Sequence, residues 1–364
     1  MKYDISDHSA EVEALRGLAV LKVVLAHVAG QWAALVGLPL VVPFLGFDVV
    51  KGLQLGPGGV FLFFFLSGYL LTRVEEGRKE RGPYRMRSYF ARRALRILPA
   101  YYLALAVVWL LWPKETTGWD LLTHAFFVHT LFPETTASAD PVMWSLASEV
   151  AWYLILPFVI VLVPRWWQRA LLLVGLLVGG RAIYVHAMAA TPGPEGELYA
   201  NHLPTTHLYL FAGGMLLAML VGRFGERPAL ATALTPPAAV YLFGYPYFGA
   251  EVAAAIHVPA WLLVDLSMAA FFFAAVAGSR ILRPVLSFAP FRFVGTISYS
   301  LFLLHQTVLV LLASSWSAEF EAWATSSPWL AFSCALAAIL ALSIPVAYLS
   351  HRFVERPFLE RKPK

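Results

Sequence analysis

Residues 142–163, VMWSLASEVAWYLILPFVIVLV, contain a single charged side chain, that of Glu149. A helix needs about 20 mostly apolar residues to cross a membrane, so this stretch predicts a transmembrane helix. The whole chain shares this character: of 364 residues, 59% are hydrophobic and only 13% are charged, with a mean hydropathy of +0.68. A water-soluble fold cannot bury that much apolar surface. The composition therefore excludes a soluble enzyme, a DNA-binding protein and a disordered scaffold.

Similar apolar segments recur along the chain and predict an all-α, polytopic membrane protein with about ten transmembrane helices. The predicted segments are 14–36, 56–73, 97–113, 142–163, 169–190, 206–222, 229–248, 258–278, 293–315 and 329–350. The segment 229–248 is the weakest because Pro236 and Pro237 interrupt it. No hydrophilic stretch is long enough for a second domain. Residues 1–364 are therefore predicted to form a single membrane-embedded domain.

The distribution of basic residues predicts the topology. With an even number of spans and a cytoplasmic amino terminus, 22 Lys and Arg residues fall in the inner segments and two in the outer ones. Cytoplasmic segments are enriched in Lys and Arg, so both termini are predicted to be cytoplasmic. The expected location is a cell membrane, specifically a bacterial inner membrane. The formal net charge of +5 follows from this topology, and no nucleic-acid partner is inferred.

Ionisable side chains inside predicted spans are candidates for function because their burial in a membrane is costly. Arg16 and His27 lie eleven residues apart, which is about 1100° of rotation and brings them within about 20° of one helical face. An arginine near the cytoplasmic surface and an imidazole near mid-depth would share that face. The structural alternative is that Arg16 only anchors the helix and His27 is a hydrogen-bonded core residue.

Two further spans carry candidate residues. Glu149 follows Trp144 and Ser145 in sequence, and its carboxylate is suited to orient or deprotonate a histidine. Pairing with Arg181 or Lys22 is its structural alternative. In the ninth segment His305 is a lone histidine, for which packing and hydrogen bonding is the usual role.

The segment 73–96 holds nine basic and three acidic residues. At its end Arg93 and Arg96 are neighbours on a helix, and paired guanidinium groups match the oxygens of phosphate. Binding of anionic lipid head groups is the alternative. No metal site is predicted, because the pairs His124/His129 and His202/His207 have a five-residue spacing that does not place two rings on one helical face.

The ordered motifs resemble the acyltransferase-3 family of integral membrane O-acyltransferases. The likeness extends over about residues 11–358. It is carried by EALRGLA at 13–19 followed by His27, FFFLSGYLLT at 63–72, RRALRILP at 92–99, WSLASE at 144–149, ISYSLFLLH at 297–305 and RFVERP at 352–357. The family's usual aspartate-glycine is Glu13-Ala14 here. The resemblance is to the stand-alone type, without an appended hydrolase-like domain.

The resemblance implies transfer of an acyl group, most simply acetyl, from cytoplasmic acyl-CoA to a hydroxyl of a sugar, glycan, lipid-linked saccharide or glycosylated natural product. The implied roles are catalytic for His27, Glu149 and Arg16, phosphate-binding for Arg92, Arg93 and Arg96, and substrate-binding for Trp144, Ser145 and His305. His27 either acts as a general base or carries the acyl group, and the sequence does not separate these routes. The expected partners are acyl-CoA, the hydroxyl-bearing acceptor and membrane lipids.

A competing interpretation is transport. Several spans with buried Arg, His, Glu and Asp also describe a proton-coupled transporter or a lipid flippase without acyl transfer. The chain shows no inverted repeat, and the transport interpretation leaves the ordered motifs unexplained. A transporter does not consume acetyl-CoA, which separates the two classes experimentally.

Overall fold

The computed structural model describes residues 10–42, 46–55, 58–316 and 318–361. The predicted position of both termini concerns residues 1–9 and 362–364, which lie outside the described residues. The helices are α1 (Ala10–Leu35), α2 (Val49–Leu55), α3 (Gly59–Arg81), α4 (Met86–Leu111), α5 (Gly118–Ala125), α6 (Trp144–Leu162), α7 (Trp166–Ala190), α8 (Pro194–His202), α9 (Leu208–Phe224), α10 (Pro228–Ala255), α11 (Ala260–Val276), α12 (Arg283–Leu286), α13 (Ala289–Thr296), α14 (Ser298–Ala313), α15 (Ala318–Ser326), α16 (Pro328–Ser350) and α17 (Arg356–Glu360). A short antiparallel pair, β1 (Val41–Val42) with β2 (Phe47–Asp48), follows α1. The all-α class is confirmed.

Among the described residues, six helical stretches are long and apolar enough to cross a membrane. Two bent helix pairs, α10 with α11 and α13 with α14, raise the number to eight if each pair is one span. Each of the ten predicted segments coincides with a helix, but α9 has only 17 residues. The described part of the chain therefore supports six to eight spans, fewer than the ten that were predicted.

Helix α10 differs from its prediction. It runs without a break from Pro228 to Ala255 although it contains Pro236, Pro237 and Pro246. Proline removes a helical hydrogen bond, but an apolar helix tolerates it where neighbouring groups compensate for the lost bond. The interruption expected at 236–237 is absent, and the bend comes after Ala255, where α10 and α11 are inclined by 111°.

The chain divides into two compact units, named here by their position in the sequence. Among the described residues, the central unit comprises 64–225 and 350–361, and the flanking unit comprises 10–63 and 226–349. A single domain was predicted because no hydrophilic linker interrupts the sequence. The two units alternate along the chain without such a linker, and the single domain stays a prediction.

Glycine sets the packing of the flanking unit. A Cβ atom at Gly17 of α1 would lie 2.0 Å from the carbonyl oxygen of Phe291, and one at Gly295 would lie 1.8 Å from that of Glu13. Since no side chain fits in either place, the backbones of α1 and α13 are in direct contact. Helix α14 follows α13 directly, so this contact fixes α14 beside α1.

Glycines also bring the backbones of two helices of the central unit, α3 and α9, into direct contact. A Cβ atom at Gly68 would lie 1.9 Å from the carbonyl oxygen of Phe211, and one at Gly214 would lie 2.1 Å from that of Phe65. The ring of Phe211 also stacks on Trp152 of α6, with centroids 5.6 Å apart. This close approach joins α3 and α9 to α6, the helix that carries Trp144, Ser145 and Glu149.

Candidate active site

Two histidines from separate helices of the flanking unit meet in a hydrogen bond. His27 of α1 and His305 of α14 are joined by their Nδ1 and Nε2 atoms, respectively, at 2.8 Å. The ring planes lie within 5° of each other, and His305 is fully buried. The α1–α13 backbone contact explains this meeting, because it holds α14 against the face of α1 that carries His27.

The hydrogen bonds define which ring nitrogens carry protons when both rings are neutral. Nδ1 of His305 lies 3.0 Å from the carbonyl oxygen of Leu301 and 2.8 Å from that of Phe302. Carbonyl oxygens only accept, so the proton of His305 is on Nδ1 and its Nε2 is an acceptor. Nδ1 of His27 must then donate to His305. This leaves the lone pair of His27 on Nε2, the nitrogen available for proton transfer.

Arg16 shares helix α1 with His27, as its sequence spacing predicts. Its guanidinium Nη1 lies 3.1 Å from Oε1 of Glu13, one turn earlier on the same helix. Both side chains are about one-fifth exposed, so the pair sits at the edge of the packed region rather than within it. Glu13 is also one of the two positions where the sequence departs from the family's usual motif.

Glu149 lies in a polar chain inside the central unit. Its Oε1 accepts hydrogen bonds from Ser67 of α3 at 2.9 Å and from the hydroxyl of Tyr153 at 2.5 Å. The guanidinium of Arg93 stands 5.7 Å from the centre of the Tyr153 ring. Tyr153 thus lies between Glu149, which accepts its hydroxyl, and Arg93, which faces its ring.

The three arginines predicted to bind phosphate have different surroundings. Arg92 is buried and its Nη2 lies 3.2 Å from Oε2 of Glu75, while Arg96 Nη1 lies 2.7 Å from Oε1 of Glu355. Both carboxylates are almost fully buried, so these pairs are part of the packed interior. Arg93 lies over the rings of Tyr89 and Tyr153, and its described contacts include no carboxylate; its Nε, like that of Arg92, has no hydrogen-bond partner among the described residues. Of the three arginines, Arg93 is the best placed to receive an added anion.

The residues predicted to bind substrate are also distinguished by their contacts. Trp144 stacks on His202 with ring centroids 4.8 Å apart. Ser145 is buried and donates to the carbonyl of Val142 at 3.1 Å, so its hydroxyl is already satisfied. His305 lies against His27, which is a positioning contact.

Sequence reasoning missed several partners. Glu75 and Glu355 neutralise arginines from 17 and 259 residues away, and only the tertiary structure brings Arg96 and Glu355 together. Ser67 reaches Glu149 from another helix. The contact of Tyr153 with Glu149 was detectable, since residues at i and i+4 are neighbours on a helix.

Comparison with known proteins identifies the family. The family model described as an acyltransferase domain, that of the acyltransferase-3 family, matches residues 9–348, and the chain belongs to this family. The chain is 24% identical to the peptidoglycan O-acetyltransferase OatA of Listeria monocytogenes over 382 residues, covering 95% of the chain and 55% of that protein. It is 24% identical to the O-acetyltransferase OatA of Staphylococcus aureus, covering 83% of the chain and 51% of that protein.

The chain thus spans about half the length of these curated relatives. No solved structure matches it significantly. Family membership together with the apolar helices makes the chain a multi-pass membrane protein.

Proposed function

We propose that the protein is an integral membrane O-acyltransferase that moves an acetyl group from acetyl-CoA to a hydroxyl of a saccharide acceptor. The observation that carries this proposal is the His27–His305 pair, which leaves the Nε2 lone pair of a neutral histidine free for proton transfer. Membership of the acyltransferase-3 family and the names of the relatives support the reaction class. The distribution of Lys and Arg supports cytoplasmic termini, in a bacterial inner membrane.

The proposed chemistry needs one proton acceptor. Nε2 of His27 takes the proton of the acceptor hydroxyl as its oxygen bonds to the thioester carbonyl carbon. The carbon–sulfur bond then breaks, and the His27 proton passes to the departing CoA sulfur. In the covalent variant, Nε2 of His27 attacks the thioester carbonyl carbon, the carbon–sulfur bond breaks and CoA leaves as a thiolate. The acceptor hydroxyl then attacks the acyl-histidine, the nitrogen–carbon bond breaks, and the hydroxyl proton passes to the released Nε2. His305 positions the ring in both routes, the role that the sequence analysis gave to Glu149.

The central unit supplies anion binding in this proposal. Arg93 contacts the CoA phosphates, because Arg92 and Arg96 already face buried carboxylates. A guanidinium group that stacks on tyrosines is pre-organised for phosphate, and the stack costs it no hydrogen-bond donor. The orienting role predicted for Glu149 passes to His305 in this proposal, Arg16 remains a predicted site residue, and Trp144 and Ser145 are assigned to the acceptor side.

The experiment that tests the proposal uses the purified protein in detergent or nanodiscs with radiolabelled acetyl-CoA. We expect His27→Ala to lower label transfer by about 10²–10⁴-fold, the usual contribution of general acid–base catalysis. His186→Ala is the matched control, because His186 is an exposed histidine near the carboxyl-terminal end of α7. Folding is checked by the thermal transition of each variant.

Two outcomes would contradict the proposal. If His27→Ala keeps more than a tenth of wild-type turnover, His27 is not the catalytic group. If the wild-type protein neither binds nor consumes acetyl-CoA, even with crude envelope glycans or lipid extracts added, the transporter interpretation replaces acyl transfer.

A further inference from the structure

Helix α5 of the central unit turns polar side chains inward and apolar side chains outward. The buried polar residues of α5 are Asp120, Thr123 and His124. The exposed apolar residues of α5 and of the position directly after it are Trp119, Leu122 and Phe126, at 45%, 50% and 69% exposure. A helix that borders water shows the reverse pattern. The exposed face of α5 therefore requires an apolar surrounding.

The buried polar side chains of α5 form hydrogen bonds with the helix itself. Oγ1 of Thr123 donates to the carbonyl oxygen of Trp119 at 2.9 Å, and Nδ1 of His124 donates to that of Asp120 at 2.8 Å. At the start of the helix, Oδ2 of Asp120 accepts from the backbone N–H of Thr117 at 2.8 Å, and Oγ1 of Thr117 accepts from the N–H of Asp120 at 3.1 Å. This reciprocal cap and these side-chain bonds need no water.

The end of α5 lies well inside the length of α4. The hydroxyls of Tyr101 and Tyr102 of α4 donate to the carbonyl oxygens of His124 and Ala125, respectively, each at 2.9 Å. Tyr102 stands nine residues before Leu111, the last residue of α4, which is about 13 Å along the helix axis. The eight residues of α5 measure about 12 Å. Helix α5 thus runs back beside the last turns of α4 to the depth of the hydrocarbon.

The residues after α5 return to the level at which this helix begins. Phe127 has a φ of +59° and its ring stacks on Tyr101 with centroids 4.3 Å apart, so the chain reverses at the deep end. Phe132 packs edge-on against Trp119 with centroids 5.2 Å apart, which closes the shallow end. Residues 118–132 therefore form a hairpin, which we call the α5 hairpin.

Two histidines fill the inside of the α5 hairpin. The rings of His124 and His129 are fully buried and stack with centroids 3.8 Å apart. Their five-residue spacing does not place them on one helical face, and they meet because α5 ends at Ala125 and the chain turns back at Phe127. Stacked rings do not direct their nitrogens to a common point, so this pair packs the hairpin rather than holding a metal ion.

We infer that the α5 hairpin is a re-entrant element of the membrane and that its exposed face contacts the acyl chains of lipids. Tyr102 is itself 42% exposed and bonds to Ala125, so the exposed surface of α4 continues onto the hairpin. Backbone at hydrocarbon depth needs hydrogen-bond partners within the protein, and the two tyrosine hydroxyls supply them at the deep end.

The sidedness of the α5 hairpin follows from the predicted topology. The distribution of Lys and Arg predicts that α4 runs outward, which puts the hairpin in the non-cytoplasmic half of the membrane. The inference goes beyond the proposed function and does not depend on it.

The test measures the depth of fluorescent labels in the full chain reconstituted in phospholipid nanodiscs. Cys334→Ala first removes the native exposed cysteine. Phe126→Cys then carries an NBD label at the deep end, and Trp119→Cys carries it at the shallow end. The lipids carry a nitroxide quencher either near the head group or near the end of the acyl chain. Glu115→Cys is the water-facing control, because Glu115 is exposed and precedes α5.

The two ends of the α5 hairpin differ in depth by about 12 Å in a leaflet of about 15 Å, so the two lipids should distinguish them. For Phe126→Cys we expect quenching by the chain-end nitroxide to be about twofold stronger than by the head-group nitroxide, and the reverse for Trp119→Cys. Glu115→Cys should be quenched weakly by both lipids and should react with a water-soluble maleimide. If Phe126→Cys does not fold, Leu122→Cys replaces it, with a ratio between those of the two ends.

Three outcomes would overturn the inference. Equal, shallow quenching at both ends would mean that α5 lies flat on the membrane surface. Labels that neither lipid quenches, at cysteines that react with the water-soluble maleimide, would make the segment an aqueous loop. Labels that neither lipid quenches, at cysteines that the maleimide does not reach, would mean that another protein covers this face.

A double variant tests whether the tyrosine hydroxyls hold the deep end of the α5 hairpin. Tyr101→Phe/Tyr102→Phe keeps both rings but removes the donors to two carbonyl oxygens. We expect the chain-end to head-group quenching ratio at the deep end to fall by about half, because carbonyls that lose these donors move toward water. Tyr184→Phe is the matched control, since the Tyr184 hydroxyl makes no hydrogen bond among the described residues. An unchanged ratio in the double variant would overturn this anchoring.

Discussion

The two compact units handle polar groups in opposite ways. The flanking unit joins His27 to His305, and the pair ends on backbone carbonyls without any formal charge. The central unit buries full charges and neutralises them in pairs, as in Arg92–Glu75 and Arg96–Glu355. A neutral histidine pair is suited to move a proton, whereas an arginine paired with a buried carboxylate is held rigidly and has its charge neutralised. In the proposed function, proton transfer therefore belongs to His27 and anion binding to Arg93.

The largest expected effect is on the glycine contact that creates the histidine pair. Gly17→Ala places a methyl group 2.0 Å from the backbone oxygen of Phe291, and backbone cannot move aside cheaply. We expect a loss of about 3 kcal/mol of stability, together with loss of turnover. Gly175→Ala is the control, because its Cβ meets no atom within 4 Å and alanine favours helix. Thermal unfolding in detergent measures the stability of both variants. Equal unfolding midpoints for the two variants would show that α1 and α13 do not approach each other this closely at Gly17.

The second prediction tests the positioning role of His305. His305→Leu leaves Nδ1 of His27 without its acceptor, so the imidazole loses its fixed tautomer. We expect kcat to fall about 100-fold with little change in the KM for acetyl-CoA. His305→Gln should recover most of this loss, because an amide both accepts from His27 and donates to the carbonyls of Leu301 or Phe302.

A purely structural role of His305 predicts a different pattern. Both substitutions would then change activity only as far as they change the thermal midpoint. Comparable kcat values for the leucine and glutamine variants would therefore show that His305 packs the helix without orienting His27.

The third prediction concerns Asp140, a buried carboxyl group of the central unit. Burial raises the pKa of Asp140 to about 7, and its described hydrogen-bond donor is the backbone N–H of Val142. A carboxyl whose pKa is higher in the folded than in the unfolded state stabilises the fold at low pH and loses this contribution as pH rises. Between pH 5 and pH 7 we expect stability to fall by about 1 kcal/mol per pH unit.

Asp140→Asn removes this proton-linked contribution. The variant should show a flatter stability curve between pH 5 and pH 7, and above pH 7 it should be the more stable protein. A wild-type stability curve that is already flat between pH 5 and pH 7 would contradict this prediction. It would mean that Asp140 is charged in the folded protein throughout this range and that a partner neutralises its charge.

The smallest predicted effect compares two arginines of α4. Arg93→Gln should raise the KM for acetyl-CoA about tenfold, as expected for one lost charge-assisted contact. Arg96→Gln should raise it by about threefold or less, because the side chain already pairs with Glu355, and should instead lower stability by removing the arginine partner of that buried carboxylate. Equal KM changes for the two variants would show that both arginines hold the donor.

Much of the architecture was accessible from the sequence. The apolar segments predicted the helical class because hydrocarbon accepts only chains whose backbone hydrogen bonds are internal. The spacing of Arg16 and His27 placed them on one helix, and the ordered motifs indicated the acyltransferase-3 family, which the family match confirms. All of these signals are local in sequence or depend on composition.

The tertiary structure alone decided how these residues are partnered. His27 and His305 are 278 residues apart, and Arg96 and Glu355 are 259 residues apart, so neither contact has a signal in local spacing. The stacking of His124 on His129 depends on where a helix ends, which the five-residue spacing did not reveal. The sequence thus determined which segments form helices. Helix formation is governed locally, by the transfer of apolar side chains out of water and by hydrogen bonds within the backbone. Which side chains meet was left to long-range packing through glycine contacts, where a single Cβ atom decides how closely two helices approach.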